Sequence, residues 1–423
     1  MRIFYSLLFA SMLPLMVLRL LWRGLRQRGY RENMLERFGF FAHAPLKDCL
    51  WIHAVSVGET RAAQPLVRRL KERYPDHPVL LTCMTPTGRA TAQALFGNEV
   101  TCVYLPYDLV LLHERLFCRF QPRLLLVMET EIWPNLFHAC HLKQIPALII
   151  NARMSEKSSL AYGRFGAVRS LLHQTLQLVD IVAAQFAADA ERFRILGASE
   201  IAVTGNIKFD ITLSPELVAL GTRWKAQQPA RRVLLCASTR EDEETLLLAA
   251  YKQAFDAKAR RDTLLVIVPR HPQRFDVVAE DIRGAGLSLS RRSQGLSGTA
   301  AEVLLGDSMG EMTAYYSFCD VVIIGGSFMP LGGQNLIEAC ASGRPVIMGP
   351  SVFNFSEAAK LATEVGAMLQ VDDALTAMRA AHELLNNNAR LQEMSAAGVK
   401  LVEANRGATE KTLALITRAL GVN

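Results

Sequence analysis

Four acidic side chains, Glu59, Glu129, Glu131 and Glu338, and two basic ones, Lys208 and Arg270, set the chemistry to be expected. Glu59 follows the apolar run 50–55 and the turn Ser56-Val57-Gly58, then opens a helical pattern with Ala63, Leu66, Val67 and Leu70 on one face. A carboxylate at the mouth of a helix is held in its charged form by the helix N-terminus, and it can accept a proton from a bound hydroxyl. Two readings of Glu59 stand side by side: a helix cap and a general base. Glu129 and Glu131 end the apolar run 124–128, where charge is costly unless paired or used. Glu129 reads as a second reactive carboxylate and Glu131 as a structural partner, with a plain salt-bridge role for both as the alternative. Lys208, within Gly205-Asn-Ile-Lys-Phe-Asp210, is either a solvated linker lysine or a cation that meets a departing phosphate or a substrate carboxylate.

The second half carries the other acid and the other base. Gly325-Gly326, Gly332-Gly333, Asn335-Leu336-Ile337-Glu338 and Gly343-Arg-Pro345 form an ordered series after an apolar run. Paired glycines let a backbone approach a phosphate, and a helix capped by Asn335 then turns its N-terminus toward it. Glu338, one turn in, is placed to accept hydrogen bonds from two ribose hydroxyls. Arg270, in Val268-Pro269-Arg-His-Pro272, offers two parallel donors to a phosphate. Met309, Gly310 and Glu311 open another helix whose free N–H groups can meet a base or phosphate, an ordinary capping turn being the alternative. Asp-x-Asp is missing, as are Cys/His zinc spacings, a nucleophile elbow and a Gly-Lys phosphate loop. Group transfer with no metal and no cofactor is the reading that survives.

These residues need a scaffold that gathers strand ends. Between 49 and 204, apolar runs at 50–55, 78–83, 100–105, 124–128, 147–151, 181–184 and 201–204 alternate with helical patterns. A second set follows at 232–237, 263–268, 287–289, 302–305, 320–324 and 345–348. Such alternation builds parallel sheets with helices on both faces, so the class is α/β with two doubly wound, Rossmann-like domains facing a cleft. The expected divisions are an anchor at 1–30, a first domain at 31–205, a linker at 206–230 and a second domain at 231–423. The helical tail beyond 374 covers the second sheet or crosses back onto the first.

The chain of 423 residues is half hydrophobic and 21% charged, which excludes disorder and suits two domains. Residues 3–18 lack charge, and residues 1–31 hold six arginines and no acid. That pairing points to a membrane surface, with no nucleic-acid motif beside it. The apolar segment is marginal for a full span, Pro14 interrupts it, and arginines stand where a cleavage site would be. It reads as an uncleaved signal-anchor or shallow membrane helix with the rest cytoplasmic; a helix folded onto the protein is the alternative. Eight scattered cysteines, mostly in apolar runs, suit a reducing compartment.

As a set, Val55-Ser-Val-Gly-Glu-Thr60, Thr85-Pro-Thr-Gly88, Tyr104-Leu-Pro-Tyr-Asp108, Met128-Glu-Thr-Glu-Ile-Trp-Pro-Asn135, Asn151-Ala-Arg153, Gly205 to Asp210, Pro269-Arg-His-Pro272, Gly306 to Glu311 and Asn335 to Glu338 resemble the 3-deoxy-D-manno-octulosonic acid (Kdo) transferases of Gram-negative bacteria. The resemblance implies a GT-B glycosyltransferase that moves Kdo from CMP-Kdo to the lipid A precursor lipid IVA, with inversion and no metal, at the cytoplasmic face of the inner membrane. It implies Glu59 as general base, Glu129 and Lys208 as transition-state stabilisers, and CMP contacts from Pro269, Arg270, Met309, Gly310, Glu311, Asn335, Leu336, Ile337 and Glu338. Where many relatives have Asn-Pro-Leu-Glu, this chain has Asn-Leu-Ile-Glu, which relaxes the helix entry and keeps both polar ends. A GT-B transferase using a UDP-sugar and a non-catalytic nucleotide-sugar-binding protein are the rival readings.

Overall fold

Strand-forming runs buried on both faces read as unbroken apolar stretches, and the computed structural model, which describes residues 1–26, 28–164, 166–295 and 301–421, shows why they occur twice. The chain forms two compact units, one from Met1–Asp210 with Arg406–Asn423 and one from Ile211–Asn405.

In the first unit seven strands, β1 (Cys49–His53), β2 (Val79–Cys83), β3 (Thr101–Tyr104), β4 (Pro122–Met128), β5 (Ala147–Ala152), β6 (Ile181–Ala184) and β7 (Ile201–Val203), lie in the order β3-β2-β1-β4-β5-β6-β7. All are parallel. Alternate residues serve opposite faces: Leu50 and Ile52 join one core cluster, Cys49 and Trp51 the other. The last helix, Ala408–Ala419, adds Leu413 and Ile416 to the first of these clusters, so the tail does cross back.

The second unit repeats the plan with β8 (Arg232–Thr239), β9 (Thr263–Pro269), β10 (Leu289–Arg291), β11 (Val303–Leu305), β12 (Val321–Ile324), β13 (Val346–Met348) and β14 (Met368–Gln370), in the order β10-β11-β9-β8-β12-β13-β14. Two details depart from the sequence pattern. The edge strand expected at 287–289 forms at Leu289–Arg291, where pairing with Val303–Leu305 sets its register. The other edge strand, β14, has three residues, of which only Met368 is fully buried, and so carries no apolar signature.

The stretch 206–230 is not a free linker. Residues Ile207–Phe209 form a 3-10 turn of the first unit, with both apolar side chains buried. Asp210 accepts hydrogen bonds from the Gly407 and Thr409 amides at 2.6 and 2.5 Å. The helix Pro215–Ala226 belongs to the second unit, its Trp224 packing against Tyr315 and Phe318. Gly221 is required there, since a Cβ would stand 2.2 Å from the Ala314 carbonyl oxygen. This polar helix is anchored by one face, with Gly221 and Trp224 buried.

The helix Arg2–Arg26 is long and apolar enough to cross a membrane. One edge of it is attached to the first unit. Arg2 and Ser6 donate to the Asn135 side-chain oxygen, both at 3.0 Å, and the Tyr5 hydroxyl donates to Asp108 at 2.9 Å. Ile3, Phe4, Leu7, Leu15, Leu18 and Trp22 are exposed on the rest of the helix.

Candidate active site

In the first sheet the chain leaves β1 toward β2 and leaves β4 toward β5, and these two strands are neighbours. That is the switch point at which open α/β sheets leave a crevice beyond the carboxyl ends of their strands. Glu59 comes from the segment after β1 and Glu129 from the residue after β4. The sheet order therefore brings the two expected carboxylates together.

The Glu59 side chain takes part in capping its own helix. Ser56 caps the helix Val57–Ala62, its hydroxyl accepting from the Glu59 amide and donating to the Glu59 carboxylate at 2.8 Å. The Val55 amide donates to the other carboxylate oxygen at 2.8 Å. Pro65 divides the helical pattern expected after Glu59 into Val57–Ala62 and Gln64–Arg73 because it cannot donate a helical hydrogen bond. The helix N-terminus does not hold the Glu59 charge as the sequence suggested. Burial, then the charge of Glu129, push its carboxyl from 4.5 up to about 7, against the two hydrogen bonds that favour ionisation. Such a group is poised to exchange protons at neutral pH.

Glu129 has φ 59°, a left-handed backbone conformation uncommon outside glycine, which marks a strained position. Its carboxylate accepts a hydrogen bond from the Lys208 ammonium at 2.9 Å, with both side chains a little over one-fifth exposed. Burial raises Glu131 as well, with a further push from Glu129, so three carboxyls crowd one crevice beside a single lysine ion pair.

The backbone under Lys208 is fixed from β5. Asn151, itself at φ 50° and fully buried, accepts the Ile207 amide at 3.0 Å, while Asn206 accepts the Lys208 amide at 3.0 Å. Asn151, from one of the motifs that carry the resemblance, thus has an enclosed side chain that holds the lysine turn. Thr85, from another, caps the helix Pro86–Phe96 and donates to the Val55 carbonyl at 3.2 Å.

Asp108 escaped the sequence reading as a functional residue. Its buried carboxylate accepts from the Asn135 and Leu136 amides at 3.1 and 2.9 Å, from His113 at 2.9 Å and from Tyr5. It thus caps the helix Pro134–Leu142 and ties the N-terminal helix to the loop that follows Glu129. The pairing of Asp108 with Asn135 spans 27 residues, and only the fold reveals it.

The nucleotide residues expected in the second unit are set on three loops. Pro269 ends β9, and the Arg270 amide donates to the Thr239 carbonyl at 2.9 Å. Asn335 accepts the Ile337 amide at 3.0 Å and donates to Glu338 at 3.1 Å, just ahead of a helix of five residues, Ile337–Ala341, whose N-cap position is taken by Leu336 and not, as expected, by Asn335. The Leu336 and Ile337 side chains are buried, which leaves the half-buried Asn335 and Glu338 as the polar face. Both Arg270 and Glu338 act on the enclosed Tyr316 hydroxyl: burial raises it, Glu338 raises it further, and Arg270 opposes both. Gly310 has φ 79°, Met309 is exposed, and Glu311 accepts from Ser308 at 2.6 Å and from Arg292 at 3.0 Å.

The paired glycines do not present their amides to a phosphate. The Gly326 amide donates to Glu243, Gly332 to Ser351, and Gly325 and Gly333 to the carbonyls of Ala237 and Gly326. Their small size serves backbone packing, for a Cβ on Gly325 would stand 2.6 Å from the Ser238 carbonyl oxygen.

Residues 32–211 match the family model described as 3-deoxy-D-manno-octulosonic-acid transferase (kdotransferase). The chain is 43% identical over 431 residues to the 3-deoxy-D-manno-octulosonic acid transferase of Bordetella pertussis, covering 99% of each chain. It is 37% identical to that of Haemophilus influenzae, covering 98% of each. Among solved structures, MnaA of S. aureus with UDP superposes with a TM-score of 0.57 at 16% identity, over 89% of this chain and 98% of that one. A glycosyltransferase from Rickettsia africae gives 0.56 at 15% identity, over 88% and 99%. The last two speak for the fold alone, a GT-B arrangement of two parallel seven-stranded sheets. On sequence identity along its whole length, the chain belongs to the family of 3-deoxy-D-manno-octulosonic acid transferases and is a glycosyltransferase.

Proposed function

We propose that the chain transfers Kdo from CMP-Kdo to a hydroxyl of lipid IVA, with inversion and without a metal ion. The observation that carries this reading is the crevice of the first unit, where a carboxyl pushed up to about 7 stands by a Glu129–Lys208 ion pair. In this reading Glu59 takes the proton of the acceptor hydroxyl as its oxygen bonds to the anomeric carbon. The bond from that carbon to the phosphate oxygen breaks, and CMP leaves with the electron pair. One displacement inverts the anomeric centre. Lys208 offsets negative charge on the departing phosphate or on the Kdo carboxylate, and Glu129 orients the lysine.

The CMP moiety is assigned to the second unit: Arg270 to the phosphate, Glu338 to the ribose, with Asn335 and the Met309–Glu311 turn beside them. Pro269, Leu336 and Ile337 act through backbone position, since their side chains are buried. The chain's own cations neutralise the single charge of a phosphate diester, so the chemistry needs no magnesium.

The lipid acceptor gives the N-terminal helix its use. Its start is bonded to Asn135 and Asp108, and shortly after its end Gly29 packs at Pro86. A helix held on one unit at both ends suits a bed in one leaflet, with the arginines meeting lipid phosphates. The inner membrane's cytoplasmic leaflet is the proposed location. Mass spectrometry of lipid IVA incubated with the protein and CMP-Kdo tests the whole reading. Addition of one or more Kdo units supports it, and unchanged lipid beside hydrolysed or intact donor overturns it.

A further inference from the structure

Glu243 is the first residue of the helix Glu243–Ala254 and is 0% exposed. Four peptide N–H groups donate to its carboxylate. Gly326 at 2.7 Å and Arg240 at 3.1 Å share one oxygen; Ser327 and Phe328, each at 3.1 Å, share the other. Among the described residues no cation forms a salt bridge with it, whereas its neighbour Glu244 pairs with Arg274 at 3.0 Å. A lone carboxylate is costly to bury, and here the compensation comes entirely from peptide dipoles of two separate loops.

Those two loops lead to the nucleotide residues. Arg240 directly follows Thr239, whose carbonyl accepts the Arg270 amide at 2.9 Å. Gly325 and Gly326 accept the Gln334 and Gly333 amides at 3.1 and 2.8 Å, so their position is passed directly to Asn335 and Glu338. Ser238 at φ 58° and Gly325 are pressed together with no space for a Cβ. We infer that Glu243 is a positioning residue of the donor site: its carboxylate sets the loop after β8 and the loop after β12 in one register, and thereby fixes Arg270 relative to Asn335 and Glu338. The inference rests on the assignment of CMP to those three residues.

Glutamine at this position retains the size but offers one acceptor oxygen, and its amide turns two N–H groups toward two others. Aspartate retains both oxygens on a shorter stem. The test is CMP binding by calorimetry on the full chain, with steady-state KM for donor and acceptor and a thermal melt, for wild type, Glu243→Gln and Glu243→Asp. Misplacement by about an ångström costs on the order of 10- to 100-fold. Glu243→Gln should weaken CMP and raise the donor KM by that factor while the acceptor KM stays within twofold, and Glu243→Asp should recover part of the loss. A folded Glu243→Gln protein that binds CMP within twofold of wild type overturns the inference. So does a loss shared equally by donor and acceptor, which marks general destabilisation. If Glu243→Gln does not fold, unchanged CMP affinity in Glu243→Asp overturns it as well. Wild-type protein that fails to bind CMP removes the nucleotide assignment itself, and the inference with it.

Discussion

Each sheet has a switch point, and each switch point holds a glutamate from the segment that follows its first strand. After β1 this is Glu59, 9% exposed, with one N–H and one hydroxyl on its carboxylate. After β8 it is Glu243, fully enclosed, with four N–H donors. Burial raises both carboxyls, so titration does not separate them. Occupancy does. A carboxylate saturated by peptide donors is a fastener; one with two donors and acidic neighbours retains a lone pair, which the proposed reaction uses for the proton of the acceptor hydroxyl. On that proposal one architectural position serves as a tool in one unit and as a clamp in the other.

The sharpest way to break this comparison is to remove the tool. Glu59→Gln should lower turnover by ~10²–10⁴-fold, the usual contribution of a general base, while CMP affinity measured by calorimetry stays within twofold. Lys208→Met should come next, at about 10²–10³-fold in turnover, comparable to losing one transition-state donor. It also uncovers the Glu129 charge, so the acid limb of the rate profile should move to higher pH. Arg270→Ala tests the nucleotide side: losing charge-assisted hydrogen bonds should weaken CMP about 10- to 100-fold, with the acceptor KM unchanged.

The smallest effect is on stability. The folded Glu59 value of about 7 lies above the ordinary 4.5, so proton binding favours the fold. That stabilisation is complete below 4.5 and lost as pH rises through about 7. At pH 8 the ionised side chain works against folding, and Glu59→Gln should raise stability by on the order of 1 kcal/mol, since part of the gain is offset by altered hydrogen bonds. Urea melts at pH 5 and pH 8 would show the gain at the higher pH only.

Much of the scaffold was legible because parallel strands buried on both faces announce themselves as apolar runs. All seven strands of the first sheet fall at the expected places. In the second sheet the edge strand β14, three residues with one of them fully buried, was not expected, although the equally short edge strand β7 of the first sheet was. Glu59 and Glu129 were legible as strand-end carboxylates and Lys208 as a linker cation, and the sheet order brings Glu59 and Glu129 to one switch point. The identity of their supports was not: Asn151 under the Lys208 turn, Asp108 beneath the N-terminal helix and Glu243 across 83 to 85 residues of chain are long-range pairings. The glycine pairs misled for a related reason. A glycine required for close packing and one required for phosphate approach look alike until the amide's partner is known.

The pH dependence of kcat/KM for the acceptor, compared in wild type and Glu129→Gln, tests most directly whether the first crevice holds a tuned base. Wild type should rise through a single ionisation near pH 7 and level off above it, and removing the neighbouring Glu129 charge should move that limb to lower pH. A wild-type limb at the ordinary carboxylate value of 4.5, unmoved by Glu129→Gln, would contradict the assignment of Glu59 as the base.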